Sequence, residues 1–94
     1  MPYEWDPRKN KINIQKHHLS FEEAKNIFNS PTITGIDNRK NYGETRFISI
    51  GTLGHKAIVL VVYTRRNQVS RLISARIANK KERRFYYEYI QKKA

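Results

Sequence analysis

The chain has 94 residues, no cysteine and a formal net charge of +11 at pH 7. This length suits one domain over residues 1–94 and is too short for two, and the lack of cysteine excludes disulfides and thiolate metal sites. So large a positive charge favours a polyanionic partner, and nucleic acid is the commonest polyanion in a cell.

The positive charge is concentrated in the last third of the chain. Residues 65–94 contain 10 Lys or Arg and 2 Asp or Glu, against 9 and 6 in residues 1–64. A solvated face that aids solubility is the alternative to a nucleic-acid surface. The longest apolar run, 57–63, is too short to span a membrane, and the first residues lack the basic and apolar regions of a signal peptide. We therefore expect a cytoplasmic protein with no membrane partner.

Two helices are predicted near the N-terminus. Asp6 and Pro7 predict the start of the first helix, because Asp can cap free backbone N–H groups and Pro is tolerated at the first helical position. This polar helix should run to about His17. Ser20 and Glu23 have the spacing of a capping box, which predicts a second helix directly afterwards.

Strand signals fill the middle of the chain. Segment 57–64 is almost wholly apolar and β-branched, as expected of a central strand buried on both faces. In the other segments, the alternation of side chains puts Arg46 on the same face of its strand as Ile48. It puts Arg71 and Arg76 on opposite faces of one strand. We predict strands over residues 2–6, 32–36, 44–50, 57–64 and 69–76, with hairpin turns at 51–54 and 65–68.

The last segment predicts a helix. Asn79 can cap it, Glu82 occupies its third position, and Tyr86 and Ile90 fall on one stripe of a helix that ends near Lys92. The order of elements predicts an α+β domain. It would have an antiparallel sheet, two N-terminal helices and one C-terminal helix, with the helices gathered on one side.

The sequence offers little to a metal ion or a nucleotide cofactor, and we expect neither. The acidic residues are scattered, His17 and His18 would point in different directions on a helix, and no Gly-rich loop precedes a helix. One reaction on nucleic acid, the cleavage of RNA, needs neither a metal ion nor a nucleotide cofactor. The 2′-OH can attack the adjacent phosphorus if a base takes its proton, a cation stabilises the phosphorane and an acid protonates the leaving oxygen.

Arginine suits the stabilising role, because its planar fork matches two phosphate oxygens. Arg46, Arg71 and Arg76 all fall in predicted strands, which would hold them on a rigid platform. The alternative for Arg46 and Arg71 is a surface ion pair with Glu44 or Glu82.

Other residues could move protons or add charge. Lys16 and His17 close the first helix, where the lysine could add charge and the histidine could act as base or acid. An interaction of His17 with the helix dipole is the alternative. Tyr86 could stack on a base or share a proton, or could belong to the core.

Three segments of the chain together resemble the BrnT toxins. The matching residues are Trp5-Asp6-Pro7, Lys9, Asn10, Asn13, Lys16, His17, Leu19-Ser20-Phe21-Glu22-Glu23-Ala24, Tyr42-Gly43-Glu44-Thr45-Arg46, Ile50-Gly51, Arg71-Leu72-Ile73-Ser74-Ala75-Arg76, Ala78, Glu82-Arg83 and Tyr86. The resemblance implies a RelE-like microbial ribonuclease fold and RNA cleavage that arrests translation and growth. It also implies a BrnA-like antitoxin that binds operator DNA through a ribbon-helix-helix part, in a complex with two copies of each protein.

Two positions depart from the family pattern. Members usually have glycine where this chain has His18, so the end of the first helix is expected to differ. Many have a second arginine where this chain has Ile77, which removes one positive charge near the expected site.

The combined hypothesis is a metal-independent endoribonuclease. The residues expected to act in catalysis are Lys16, His17, Glu44, Arg46, Arg76 and Tyr86, and those expected to bind RNA are Arg71, Lys80, Lys81, Arg83 and Arg84. Arg46 and Arg76 would hold the scissile phosphate, and His17, or failing it Glu44 or Tyr86, would move protons. The alternative is a non-enzymatic module that holds RNA or DNA, or that acts as a co-repressor with its antitoxin, since this needs the same charge.

Overall fold

One five-stranded sheet and three α-helices make up the part of the chain that the structure describes. The structure is a computed structural model, and it describes residues 2–39, 41–54 and 57–93. The elements are β1 (Tyr3–Trp5), α1 (Pro7–His17), α2 (Phe21–Ala24), a 3-10 helix (Lys25–Asn29), β2 (Ile33–Ile36), β3 (Phe47–Leu53), β4 (Ala57–Arg66), β5 (Val69–Ile77) and α3 (Lys80–Lys93). The strand order is β1-β5-β4-β3-β2, antiparallel except that β1 runs parallel to β5. The predicted α+β fold is confirmed.

The predicted helix caps are present. The backbone N–H groups of Arg8, Glu23 and Glu82 donate to Asp6 Oδ1, Ser20 Oγ and Asn79 Oδ1 at 2.8, 3.0 and 2.8 Å. These bonds satisfy donors that a helix start leaves free. No helix among the described residues is both long and apolar enough to cross a membrane.

The end of α1 keeps the geometry of a glycine cap without the glycine. His18 follows the helix with φ 56° and ψ 34°, in the left-handed region, and its N–H donates to Ile14 O at 2.8 Å. The expectation that this helix end differs is therefore wrong for the backbone. The cost is that an L side chain occupies a conformation that glycine adopts with less strain.

Strand β3 begins and ends later than predicted. It starts at Phe47 rather than at residue 44, and it continues through Gly51 to Leu53. Gly51 marks a close approach instead of a turn, because a Cβ there would lie 3.0 Å from Ser30 Oγ. The tight turn of the next hairpin is formed by Asn67 and Gln68, both with positive φ.

Both faces of the sheet are covered by helices. Val59 and Val61 of β4 belong to a core cluster that includes Phe21 of α2. Ile58 alternates with them and belongs to a second cluster that includes Tyr86 of α3. Since successive side chains of a strand point to opposite faces, α3 lies on the face opposite to α2. The expectation that all helices gather on one side is wrong, because β4 is apolar on both faces and each face needs cover.

An irregularity in β5 changes which side chains share a face. Tyr63 pairs with Leu72, but Val62 pairs with Ser74, so Ile73 is an extra residue in β5. Leu72 and Ala75 consequently both reach the first core cluster.

The predicted opposite placement of Arg71 and Arg76 is wrong for this reason. Strict alternation assumes an unbroken register, and the bulge at Ile73 shifts it by one residue. Arg71, Ser74 and Arg76 therefore lie together on the face that α3 partly covers.

The free edge of β5 is closed by one side chain of α1. Asn13 Nδ2 donates to Ala75 O at 2.9 Å and to Leu19 O at 2.8 Å, and the Ala75 N–H donates to Asn13 Oδ1 at 3.1 Å. β1 pairs only with residues 70–72 of β5. At Ala75, the buried amide of Asn13 takes the place of a neighbouring strand. It also fixes the C-terminal half of α1 against β5.

Candidate active site

Three arginines predicted to bind phosphate lie on one face of the sheet. Arg71 pairs with Thr64 and Arg76 with Leu60 across β4 and β5. Arg46 directly precedes β3, and its carbonyl accepts the N–H of Asp37 at 2.8 Å, which continues the ladder between β2 and β3. We call the α3-side surface around Arg46, Arg71 and Arg76 the arginine face.

Two of these arginines are held by carboxylates. Arg71 Nη1 lies 2.6 Å from Glu4 Oε2, and Arg76 donates to both oxygens of Glu82 at 2.8 and 2.7 Å. The hydrogen bond to Glu82 raises the pKa of Arg76. The surface ion pair considered as an alternative is therefore present for Arg71, with Glu4 as its partner instead of Glu44 or Glu82.

Arg46 is held differently. Its guanidinium carbon lies 3.8 Å from the centroid of the Tyr42 ring, as in a cation–π stack. Its side chain makes no hydrogen bond or ion pair to any residue that the structure describes, and its Nε is buried without a partner. Stacking orients the guanidinium through its face, so the N–H donors in its plane stay available to an anion.

The floor between Arg46 and Arg71 carries a further unused polar group. Thr64 pairs with Arg71 and is 1% exposed, and within the described residues its hydroxyl has no hydrogen-bond partner. A buried hydroxyl without a partner is costly. The hydroxyl lies beneath the surface of the arginine face, since the residue is almost fully buried.

Glu44 lies in the electric field of the arginine face. Arg66 donates to both of its oxygens at 2.7 and 3.1 Å. This hydrogen bonding lowers the pKa of Glu44, and the positive charges of Arg66, Arg46 and Arg71 lower it further. The carboxylate is therefore ionised at neutral pH, where it can accept a proton but has none to donate.

Lys16 and His17 lie in a separate groove between α1 and β5. This groove has a volume of about 250 Å³, and Ile73 and Ser74 form its β5 side. Ser74 also belongs to the arginine face, so the groove meets that face along β5. No hydrogen bond or ion pair of the described residues joins Lys16 or His17 to Arg46.

Tyr86 has a structural position. It is 3% exposed, and its hydroxyl donates to Pro31 O at 2.6 Å. This bond ties α3 to the segment before β2. Because this hydroxyl is buried and engaged by Pro31, we assign no proton transfer to Tyr86.

Four of the five basic residues expected to bind RNA lie on the first turns of α3, and the fifth, Arg71, lies in β5. Lys80, Lys81, Arg83 and Arg84 are all exposed. Arg83 also donates to Ala78 O at 3.1 Å. They extend the positive surface beyond the arginine face, along the helix that partly covers it. Within the described residues, no group of three or more His, Asp or Glu side chains could hold a metal ion.

Two features of this site were not predicted from the sequence. The buried Thr64 hydroxyl carries no sequence signal, because it resembles any strand threonine. Tyr42 could have been found, since it lies four residues before Arg46 in a segment that resembles the BrnT toxins.

The comparisons with known proteins assign the family. The model of the family described as "Ribonuclease toxin, BrnT, of type II toxin-antitoxin system" matches residues 5–82. The chain belongs to the BrnT family. The family description makes the chain a ribonuclease toxin of a type II toxin–antitoxin system, which implies an antitoxin partner. The matched residues include Arg46, Arg71 and Arg76.

A solved structure supports the same assignment. The 1.1 Å crystal structure of the Brucella abortus ribonuclease toxin BrnT is similar to this chain, with a TM-score of 0.66 and 27% sequence identity. The alignment covers 85% of this chain and 99% of that one. A search of curated protein sequences finds no significant match.

Proposed function

We propose that this BrnT-family protein is a metal-independent endoribonuclease that cleaves RNA in the cytoplasm and arrests translation. The observation that carries the proposal is the set of contacts around the Arg46 guanidinium. This guanidinium is oriented by Tyr42 and has no carboxylate partner among the described residues. A phosphate group matches these unused donors in charge and geometry.

The reaction we propose is attack of the ribose 2′-oxygen on the adjacent phosphorus. The P–O5′ bond breaks, which leaves a 2′,3′-cyclic phosphate and a free 5′-OH. Arg46 would bind two phosphate oxygens, and Arg71 and Arg76 would add positive charge as the phosphorane forms. Lys16 would supply further charge from the α1 side.

The proton transfers can be divided between Glu44 and His17. Glu44 is ionised at neutral pH and keeps lone pairs beyond those bonded to Arg66, so we assign it the 2′-OH proton. The hydrogen bond from Arg66 lowers its pKa and so makes it a weaker base than a free glutamate. An imidazole can donate a proton near neutral pH, so His17 is suited to protonate the 5′-oxygen. His17 could reach the leaving group across Ser74, where its groove meets the arginine face.

The decisive experiment is cleavage of mixed cellular RNA by the purified protein, with and without EDTA. We expect fragments in both samples. Arg46→Gln should cleave at least about 100-fold more slowly, the usual effect of removing one donor to a developing oxyanion. Arg8→Gln is the matched control, because the Arg8 side chain is 92% exposed and lies outside the arginine face.

Each outcome has a definite meaning. If Arg46→Gln cleaves as fast as wild type while unfolding at the same temperature, the site is wrongly assigned. If the wild-type protein shifts RNA in a gel without shortening it, even with ribosomes present, the protein is a binding module. Activity that EDTA abolishes would contradict metal independence.

We further propose that the antitoxin is BrnA-like, that it forms a complex with two copies of each protein, and that the complex binds operator DNA through the antitoxin. The basic surface from Arg46 to α3 would attract an acidic antitoxin and RNA alike. Light scattering on the co-purified pair tests the stoichiometry. A mass that corresponds to one copy of each protein would contradict it.

A further inference from the structure

A recess of about 470 Å³ opens beside Arg46, in the segment that connects β2 to β3. Its volume falls within the range of pockets that hold small ligands. Arg46 and Glu44 form the wall shared with the arginine face, and Asn38, Asn41 and Ile36 form other parts of the lining. The recess therefore adjoins the position proposed for the scissile phosphate.

One buried carboxylate beside the recess binds two neighbouring side chains. The Asp37 side chain is fully buried, and its oxygens accept from Arg39 Nε and Nη2 at 2.8 and 2.9 Å and from the Tyr42 hydroxyl at 3.2 Å. The hydrogen bond from Arg39 is the largest cause that holds the pKa of Asp37 well below its usual range. Asp37 thus holds the side chains of Arg39 and Tyr42 in place beside the recess.

The charges of the lining suit one phosphate at the rim and a neutral ligand beside it. Arg39 and Arg66 neutralise the carboxylates of Asp37 and Glu44. Arg46 is the cation that remains among the described lining residues, and the proposed function assigns it to the scissile phosphate. The rest of the recess therefore has no cation for a second phosphate, whereas a neutral ligand needs none.

The remaining groups suit a flat heterocycle. Ile36 is 58% exposed and offers an apolar surface. Asn41 Oδ1 accepts the Gly43 N–H at 3.0 Å, which leaves its Nδ2 donors for a ligand. Asn38 is exposed and offers both a donor and an acceptor. Proteins recognise unpaired bases by hydrogen bonds to the base edge and by packing an aromatic or apolar side chain against the base face.

We propose that this recess is a nucleobase subsite, which binds the base of the nucleotide next to the scissile phosphate and selects among bases through Asn38 and Asn41. The proposal rests on the proposed function for the position of the phosphate at Arg46. It adds sequence preference on one side of the cut. Because the recess is open and its polar contacts are few, it would favour certain bases without excluding the others.

The test measures binding, so that it does not depend on cleavage. Dinucleotides with 2′-fluorine lack the attacking hydroxyl, and a set that varies one base at a time can be titrated into the protein by calorimetry. We expect wild type to prefer one base at one position by about tenfold, as for a good amide–base contact. The double variant Asn38→Ala, Asn41→Ala should reduce the preference to within about twofold.

Two controls separate the subsite from the phosphate site. Asn26→Ala changes an exposed asparagine in the 3-10 helix, outside the recess, and should leave the preference unchanged. Arg46→Gln should weaken all dinucleotides together, because it removes a phosphate contact rather than a base contact.

The outcomes distinguish this proposal from the proposed function. Equal binding of all bases by wild type, or an unchanged preference in the double variant, would overturn the subsite even if the protein cleaves RNA. A base preference that the double variant loses would support the subsite even if Arg46→Gln cleaves normally. In that case only the catalytic assignment would fail.

Discussion

Replacing Asn13 with alanine should cost more stability than any other exchange of a polar α1 side chain, because Asn13 takes the place of a missing strand. Its amide makes three hydrogen bonds, to both backbone groups of Ala75 and to Leu19 O, at 2.8 to 3.1 Å. Asn13 is 5% exposed, so water does not substitute for the amide in the native protein. The variant would leave the edge of β5 without a partner.

The size of the effect follows from the number of groups left unpaired. A buried backbone group without a partner costs about 1–3 kcal/mol, and partial entry of water reduces the sum for three groups to about 2–5 kcal/mol. A domain of this length has a total stability of about 5–14 kcal/mol. We therefore expect Asn13→Ala to lower the Tm by at least about 10 °C.

Thermal and urea unfolding check this prediction, with Asn10→Ala as the matched control. Asn10 lies one turn earlier and accepts a single hydrogen bond, from the Phe21 N–H at 2.9 Å. Its loss should cost about 1 kcal/mol. If Asn13→Ala were as stable as Asn10→Ala, solvent would have to reach the β5 edge in the wild-type protein, and the reasoning would be refuted.

Three further predictions concern stability. His18→Gly should raise the free energy of unfolding, measured by urea titration, by about 1 kcal/mol, because it removes an L side chain from the left-handed region. A lower free energy of unfolding in the variant would contradict the φ of 56°. Gly51→Ala should destabilise the protein by about 1–3 kcal/mol, because the new Cβ would lie 3.0 Å from a neighbouring side chain. Gly35→Ala is the control and should be tolerated, since a Cβ there would meet nothing within 4 Å. Equal stability of the two variants would refute the predicted clash at Gly51. Glu82 has a pKa lowered from 4.5, first by its hydrogen bond from Arg76, so its stabilisation is present above pH 4.5 and lost as the pH falls further. Glu82→Gln should therefore lower the Tm near neutral pH and match wild type in strong acid, and a pH-independent difference would contradict the ion pair.

Features that depend on neighbouring residues could be predicted from the sequence. Each helix cap joins groups two or three residues apart, so Asp6, Ser20 and Asn79 could be recognised from spacing alone. The apolar β4 was equally clear, because a strand buried on both faces needs apolar residues at nearly every position. The resemblance to the BrnT toxins rested on short segments of the same kind, and the family match confirms it.

The arrangement of the site depended on contacts between distant parts of the chain. Alternation along β5 could not show that Arg71 and Arg76 share a face, because the bulge at Ile73 exists only in the pairing with β4. The ion pair of Arg71 with Glu4 likewise joins residues that are 67 positions apart in the sequence. Sequence by itself determined the elements, the charge and the family. Tertiary structure decided which arginine is paired and which is free, because ion pairs, stacking and register arise only when distant segments pack together.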